Sequence, residues 1–132
     1  MAWNAPVSLR SPLGRVLGTG SAKEGVAHWW AQRVSAVALI PLTLWFFFSL
    51  LALPDLEFDT LRTWLGLPIS GLLAVLLVAV LFYHSYLGTM VIVEDYVHAA
   101  GVKLLGLLAL RFLYVLAGGA AVFAILRVTF GP

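Results

Sequence analysis

The chain has 132 residues, of which 62% are hydrophobic and 11% are charged, and its formal net charge is +2. A soluble domain carries about 25% charged residues, so this composition excludes a water-exposed globular domain and indicates an integral membrane protein. The chain has no cysteine, which excludes disulfides, cysteine-ligated iron–sulfur clusters and cysteine zinc sites. A metal would have to be held by carboxylates or by the three histidines, His28, His84 and His98.

The first 24 residues differ from the rest of the chain. They are mixed and polar, with bases among glycine, serine and proline, and they contain no apolar core of the kind that a signal peptide needs. We therefore predict an N-terminal arm over residues 1–24 and a membrane domain over residues 25–132. The arm is poor in acidic residues, so a mitochondrial presequence stays open as the less favoured alternative.

Three long apolar runs follow the arm. They cover residues 34–53, 69–93 and 104–130, and each reaches the roughly 20 residues that a membrane-spanning helix needs. A lone segment in lipid must satisfy its backbone hydrogen bonds internally, which favours helices, and the sequence lacks the short alternating segments of a membrane β-barrel. The sequence thus predicts an all-α integral membrane protein with three transmembrane helices.

The basic residues predict how these helices are oriented. Four bases precede the first span, and the connection after it carries one, Arg62. By the positive-inside rule the N-terminus lies in the cytoplasm, and three spans then place the C-terminus on the opposite side. The connection that begins at Glu94 is cytoplasmic as well. We expect a multi-pass protein of the bacterial inner membrane, with the mitochondrial inner membrane as the less favoured alternative.

His84, in the second span, is the strongest candidate for a functional residue, because an imidazole inside a bilayer is costly unless it is used. It lies about nine residues, or roughly 13 Å, from the cytoplasmic end of its helix. Gly88 follows on the same face and leaves room for a large flat group. A neutral imidazole at this depth suits a haem iron. No other histidine lies at membrane depth, so a six-coordinate haem needs a second chain; the alternative is a histidine that hydrogen-bonds a neighbouring helix and binds no metal.

Further polar side chains lie toward the cytoplasmic side of the membrane. The phenol of Tyr96 can donate a hydrogen bond to a quinone carbonyl, and Asp95 can orient it or relay protons; the alternative is a polar helix end with an interfacial tyrosine. Arg33 enters the membrane on the same side, where it either pairs with a carboxylate such as a haem propionate or snorkels to the interface. For Arg111, in the third span, we favour snorkelling.

These residues together resemble a known family. The pattern consists of Gln32-Arg33-x-Ser35-Ala36 opening the first helix, His84-x-x-x-Gly88 in the second, and Asp95-Tyr96 eleven and twelve residues after the histidine. It resembles the hydrophobic membrane anchor subunit of succinate dehydrogenase, respiratory complex II, from about residue 25 to the C-terminus. The companion cytochrome b subunit usually carries Arg-Pro-x-Ser-Pro-His and Ser-x-x-His-Arg segments ahead of its first span, and this sequence has neither.

The resemblance implies a role for each candidate residue. His84 would be one axial ligand of haem b, and the cytochrome b subunit would supply the other histidine. Arg33 would face the haem propionates, with His28 on the same side at an offset of one residue from the family pattern. Tyr96 would hydrogen-bond ubiquinone, with Asp95 as its acidic neighbour.

The resemblance also implies a reaction and its partners. This chain would be a non-flavin subunit of succinate:quinone oxidoreductase that is not catalytic alone. The flavoprotein subunit would oxidise succinate to fumarate, a step of the tricarboxylic acid cycle, and an iron–sulfur subunit would pass the electrons to quinone. We expect contact with membrane lipid and none with nucleic acid. The alternatives are a fumarate reductase anchor, since the sequence does not set the direction, and a structural membrane protein without haem.

Overall fold

The computed structural model describes Leu13 and residues 23–131. Most of the predicted N-terminal arm, residues 1–12 and 14–22, lies outside the described residues. The described chain forms α1 (Lys23–Leu51), α2 (Phe58–Gly66), α3 (Pro68–Tyr96) and α4 (Ala100–Phe130). Of these, α1, α3 and α4 are long and apolar enough to cross a membrane. No strand occurs among the described residues, so the predicted all-α fold with three transmembrane helices is confirmed.

The helices extend beyond the apolar runs that predicted them. α1 begins at Lys23 and not at residue 34, α3 continues past residue 93 to Tyr96, and α4 starts at Ala100 and not at residue 104. The predicted connection over residues 94–103 therefore shortens to residues 97–99. Hydropathy marks only the part of a helix that suits hydrocarbon, whereas backbone hydrogen bonding continues into the more polar residues on either side.

A short helix that the sequence did not predict lies between the first two spans. α2 places Leu61, Trp64 and Leu65 on a half-buried face and leaves Asp59 exposed. The spacing of three and one along this face is that of an amphipathic helix. The indole of Trp64 stacks on that of Trp45 in α1, with ring centroids 5.8 Å apart. α2 thus reaches the first span through Trp64, while its backbone lies against α3 and α4.

The chain ahead of α2 is ordered by the carboxylate of Asp55. The backbone N–H of Glu57 donates to this carboxylate at 3.1 Å. The hydroxyl of Thr60 and this N–H hold the pKa of Asp55 below its usual value, because both bonds favour the charged form. The turn that leads from α1 into α2 is therefore held by an ionised side chain.

α3 is the central helix of the domain. It packs against α1 and against α4, whereas the backbones of α1 and α4 do not approach each other closely within the described residues. Glycines allow α3 and α4 to approach closely: a methyl group on Gly71 would clash with Thr129, and one on Gly118 would lie 3.2 Å from the ring of Phe82. The hydroxyl of Thr129 lies 3.1 Å from the carbonyl of Leu65 and 2.9 Å from that of Ile125, so its single proton is shared between α2 and the backbone of α4.

The apolar core of the described chain is confined to this central helix. Its buried apolar side chains are Ala74, Leu77 and Leu87, all in α3. Many large apolar side chains of the spans are exposed, Phe47 and Phe48 among them. Such faces are stable only against lipid or another protein. The spans therefore leave broad apolar faces for lipid or for another protein.

Candidate functional site

His84 lies on the side of α3 that packs against α1. Its Nδ1 is 2.9 Å from Oγ of Ser35, and its Nε2 is 3.4 Å from the amide nitrogen of Gln32. Ser35 also donates from Oγ to the backbone carbonyl of Gln32 at 3.0 Å. Ser35 is only 6% exposed, so these contacts are shielded between the helices. The hydrogen bond to a neighbouring helix, which one interpretation of His84 predicted, is present.

One proton arrangement satisfies the three contacts around His84 together. The Ser35 hydroxyl has a single proton, which goes to the Gln32 carbonyl, so Oγ accepts the proton on Nδ1 of His84. Nε2 then carries a lone pair that accepts the amide N–H of Gln32. The other tautomer would set an imidazole N–H against the amide NH₂ of Gln32, donor against donor. With the Gln32 amide in this orientation, the contacts match an imidazole that has its lone pair on Nε2.

Gly88 lies one turn beyond His84 and faces the same glutamine. A Cβ built on Gly88 would lie 3.6 Å from the amide nitrogen of Gln32, an ordinary contact, and no second described atom comes within 4 Å of it. His84 and Gly88 thus share a face, as their spacing predicts. The space over Gly88 is bounded by Gln32 on the α1 side.

Two buried polar atoms of α1 have no hydrogen-bond partner within the described residues. They are Nε2 of His28 and Oε1 of Gln32. His28, Gln32 and Ser35 follow one another at spacings of four and three, so they form one stripe along the helix. Leaving a buried polar atom unpaired costs about 1–3 kcal/mol. A hydrogen-bond partner for these two atoms would have to come from outside the described residues.

Arg33 lies beside this stripe, on an exposed face of α1. Its guanidinium carbon is 5.5 Å from the centroid of the Trp29 ring, one turn earlier. A cation–π contact of this kind stabilises an exposed side chain by about 0.5–1 kcal/mol. The side chain therefore extends toward the N-terminal end of α1, the direction in which a snorkelling arginine reaches the interface. Pairing of Arg33 with a haem propionate stays a prediction.

Asp95 and Tyr96 end α3, and both side chains are exposed, that of Tyr96 to 79%. They lie about 17 Å beyond His84 along the helix axis. α1 and α3 run antiparallel, since Ser35 faces His84 while Gln32 also reaches Gly88. Asp95 and Tyr96 are therefore at the end of α3 that lies toward the start of α1. Their role in binding quinone stays a prediction.

An apolar groove, which the sequence did not predict, lies between α3 and α4. Its volume is about 480 Å³, and its lining includes Arg111. The hydroxyl of Tyr114 lies 2.9 Å from that of Thr89 and donates to it, because the Thr89 proton goes to the backbone of its own helix. The rings of Phe82 and Tyr86 pack edge-on against Tyr114. In the sequence, the spacing of four residues between Phe82 and Tyr86 could have indicated an aromatic face on this helix.

These features define a class of protein. The described chain is a helical membrane protein with an imidazole in polar contact across a helix interface, buried polar atoms without a partner beside it, and broad exposed apolar faces. Within the described residues no three His, Asp or Glu side chains gather closely enough to hold a metal ion. A metal bound at His84 would therefore need further ligands from a cofactor or from another chain.

Comparison with known proteins gives the family. Residues 8–118 match the succinate dehydrogenase/fumarate reductase transmembrane subunit family, and the chain belongs to this family. No solved structure gives a significant match. The resemblance inferred from the pattern around His84, Asp95 and Tyr96 is thereby confirmed.

Several relatives are named as membrane anchor subunits of succinate dehydrogenase. The succinate dehydrogenase hydrophobic membrane anchor subunit of Paracoccus denitrificans is 34% identical over 114 residues, which cover 86% of this chain and 88% of that protein. The subunit of that name from Rickettsia bellii is 33% identical over 88 residues, or 67% of this chain and 70% of that protein. The succinate dehydrogenase membrane anchor subunit of Reclinomonas americana is 28% identical over 92 residues, or 67% of this chain and 77% of that protein.

Proposed function

We propose that this chain is the membrane anchor subunit of a succinate:quinone oxidoreductase and that His84 is an axial ligand of haem b. The observation that carries the proposal is the position of His84 within the second span, where Nδ1 lies 2.9 Å from the Ser35 hydroxyl and Nε2 has only a 3.4 Å contact to Gln32. The names of the relatives favour succinate dehydrogenase over fumarate reductase as the parent complex. The second axial histidine comes from the cytochrome b subunit.

The residues around His84 fit a haem. His84 would hold the iron through a ring nitrogen, and Gly88, one turn further along α3, has no side chain that would obstruct a flat ring. The guanidinium of Arg33 pairs with a propionate carboxylate, a charge-assisted bond that is stronger than a neutral one. The unpaired Nε2 of His28 is available to a further polar group on the same side. When bound, haem b supplies a one-electron carrier within the membrane domain.

Ubiquinone binds at the end of α3 in this proposal. The exposed phenol of Tyr96 donates a hydrogen bond to a quinone carbonyl, and Asp95 orients that phenol or relays protons to the reduced quinone. The iron–sulfur subunit docks on this side of the membrane and passes electrons that the flavoprotein subunit takes from succinate. We place this side in the cytoplasm and the protein in the bacterial inner membrane, in accordance with the positive-inside rule.

The test of haem ligation is His84→Ala in the purified complex. Removing the imidazole removes an axial ligand, so we expect loss or displacement of the b-type band in the reduced-minus-oxidised spectrum, measured per assembled complex. His98→Ala is the matched control, because His98 is exposed in the connection between α3 and α4. A wild-type haem spectrum in the His84→Ala complex would show that His84 only packs.

A further inference from the structure

We propose that Ser35 is a positioning residue for His84: its hydroxyl accepts the Nδ1 proton of the imidazole and so keeps the lone pair on Nε2, where iron binds. This inference rests on the ligation of haem by His84 proposed above. It assigns to α1 a part in the metal site, because the residue that fixes the ligand lies on one helix and the ligand itself on another.

The orientation of the Ser35 hydroxyl follows from its place in a helix. A serine in the interior of a helix donates to a carbonyl three or four residues earlier, and Ser35 does so to Gln32 at 3.0 Å. The lone pairs of Oγ are then left for a donor from α3. Nδ1 of His84 lies at 2.9 Å, the usual length of an N–H···O bond. The serine is therefore an acceptor toward the imidazole.

Gln32 makes the weaker of the two contacts to the ring. Its amide nitrogen lies 3.4 Å from Nε2 of His84, near the upper limit of a hydrogen bond. With iron bound at Nε2, the long contact to Gln32 would be replaced and the short one to Ser35 would remain. Oε1 of Gln32 is already without a partner, so the amide is free to turn toward a new polar neighbour.

The acceptor on Nδ1 also sets the electronic character of the ligand. A metal-bound histidine that donates its other ring N–H becomes a more basic ligand, and loss of such a partner typically lowers metal affinity by about 10–100-fold. A more basic imidazole favours ferric over ferrous iron. Removal of the Ser35 hydroxyl is therefore expected to raise the midpoint potential of the haem and to lower its affinity by about 10–100-fold.

The experiment compares variants of Ser35 in the purified whole complex. Ser35→Ala removes the hydroxyl, Ser35→Thr keeps it, and Ser35→Val has nearly the shape of threonine without it. We measure the midpoint potential by redox titration, the EPR g-values of the oxidised haem, and haem per complex. We expect the potential to rise and the g-values to move in the alanine and valine variants, and both to return toward wild type in the threonine variant. Ser49→Ala, a half-buried serine later in α1, is the control.

The outcomes separate positioning from simple packing. If Ser35 only packs, its variants lower the yield of complex but leave the potential and g-values of the retained haem unchanged, and that result overturns the inference. Loss of haem in both hydroxyl-free variants, with retention in Ser35→Thr, supports it. Equal behaviour of the threonine and valine variants refutes it. A His84→Ala complex with a wild-type spectrum would instead overturn the proposed function on which the inference rests.

Discussion

Replacing Gly88 by alanine should affect the packing of α1 on α3 and the binding of haem differently. Within the chain the new methyl group would lie 3.6 Å from the amide nitrogen of Gln32, an ordinary contact. Alanine is also favoured over glycine in a helix interior by about 0.8–1.0 kcal/mol. The packing of α1 on α3 therefore tolerates the substitution, and the anchor domain should be as stable as wild type or slightly more so.

The haem responds differently if its flat ring lies over Gly88. An extra methyl group in a close-packed site costs about 1–3 kcal/mol, which corresponds to an affinity lower by roughly 5- to 150-fold. The assay is haem per complex under limiting haem supply, together with the midpoint of thermal subunit dissociation. We expect less haem in Gly88→Ala before reconstitution and an unchanged or higher dissociation temperature after haem is saturated.

The matched control is Gly119→Ala, because no described atom lies within 4 Å of a Cβ at Gly119. It should gain the same helix propensity and keep its full haem content. A Gly88→Ala complex with full haem and a wild-type spectrum would show that the ring does not lie against this turn of α3, and the reasoning from the shared face of His84 and Gly88 would fail.

Two further predictions concern the ends of α3. Tyr96→Phe should impair quinone reduction while succinate oxidation with an artificial acceptor survives, because only the phenolic donor is removed; Tyr83→Phe is the control, and an unchanged quinone-reductase rate would exclude Tyr96 from the quinone site. Gly71→Ala should destabilise the complex by about 1–3 kcal/mol through overpacking against Thr129, partly offset by helix propensity, with no change in the haem spectrum. A thermal midpoint equal to that of Gly119→Ala would contradict the close approach of α3 and α4.

The number and type of the spans followed from hydropathy, but their ends did not. The run before residue 34 contains His28 and Arg33, which lower its hydropathy, yet the backbone there is helical from Lys23 onward. α2 was missed because its nine residues include charged side chains and follow Pro54, so its face of Leu61 and Trp64 is too short to stand out. The length and composition of a segment indicate whether it prefers lipid or water, whereas the end of a helix depends on where its backbone hydrogen bonding stops.

The sequence identified the candidate residues of the site, but it did not predict which of them contact each other. His84 stood out because an ionisable side chain in lipid is rare. Its partner Ser35 was part of the family pattern, but the bond between them depends on the register of α1 against α3, which no local spacing encodes. The groove around Tyr114 also depends on how two helices pack, because Phe82 and Thr89 lie on α3 and Tyr114 lies on α4.

The position of α3 between its two neighbours determines how a disturbance travels through the subunit. His84 faces α1, while Phe82 and Tyr86 face α4, which is the opposite side of the helix because two residues turn it by about 200°. The backbones of α1 and α4 do not approach each other closely within the described residues. A molecule wedged beside Tyr114 therefore acts on the imidazole most directly by rotating or sliding α3, and the same motion would carry Tyr96 with it.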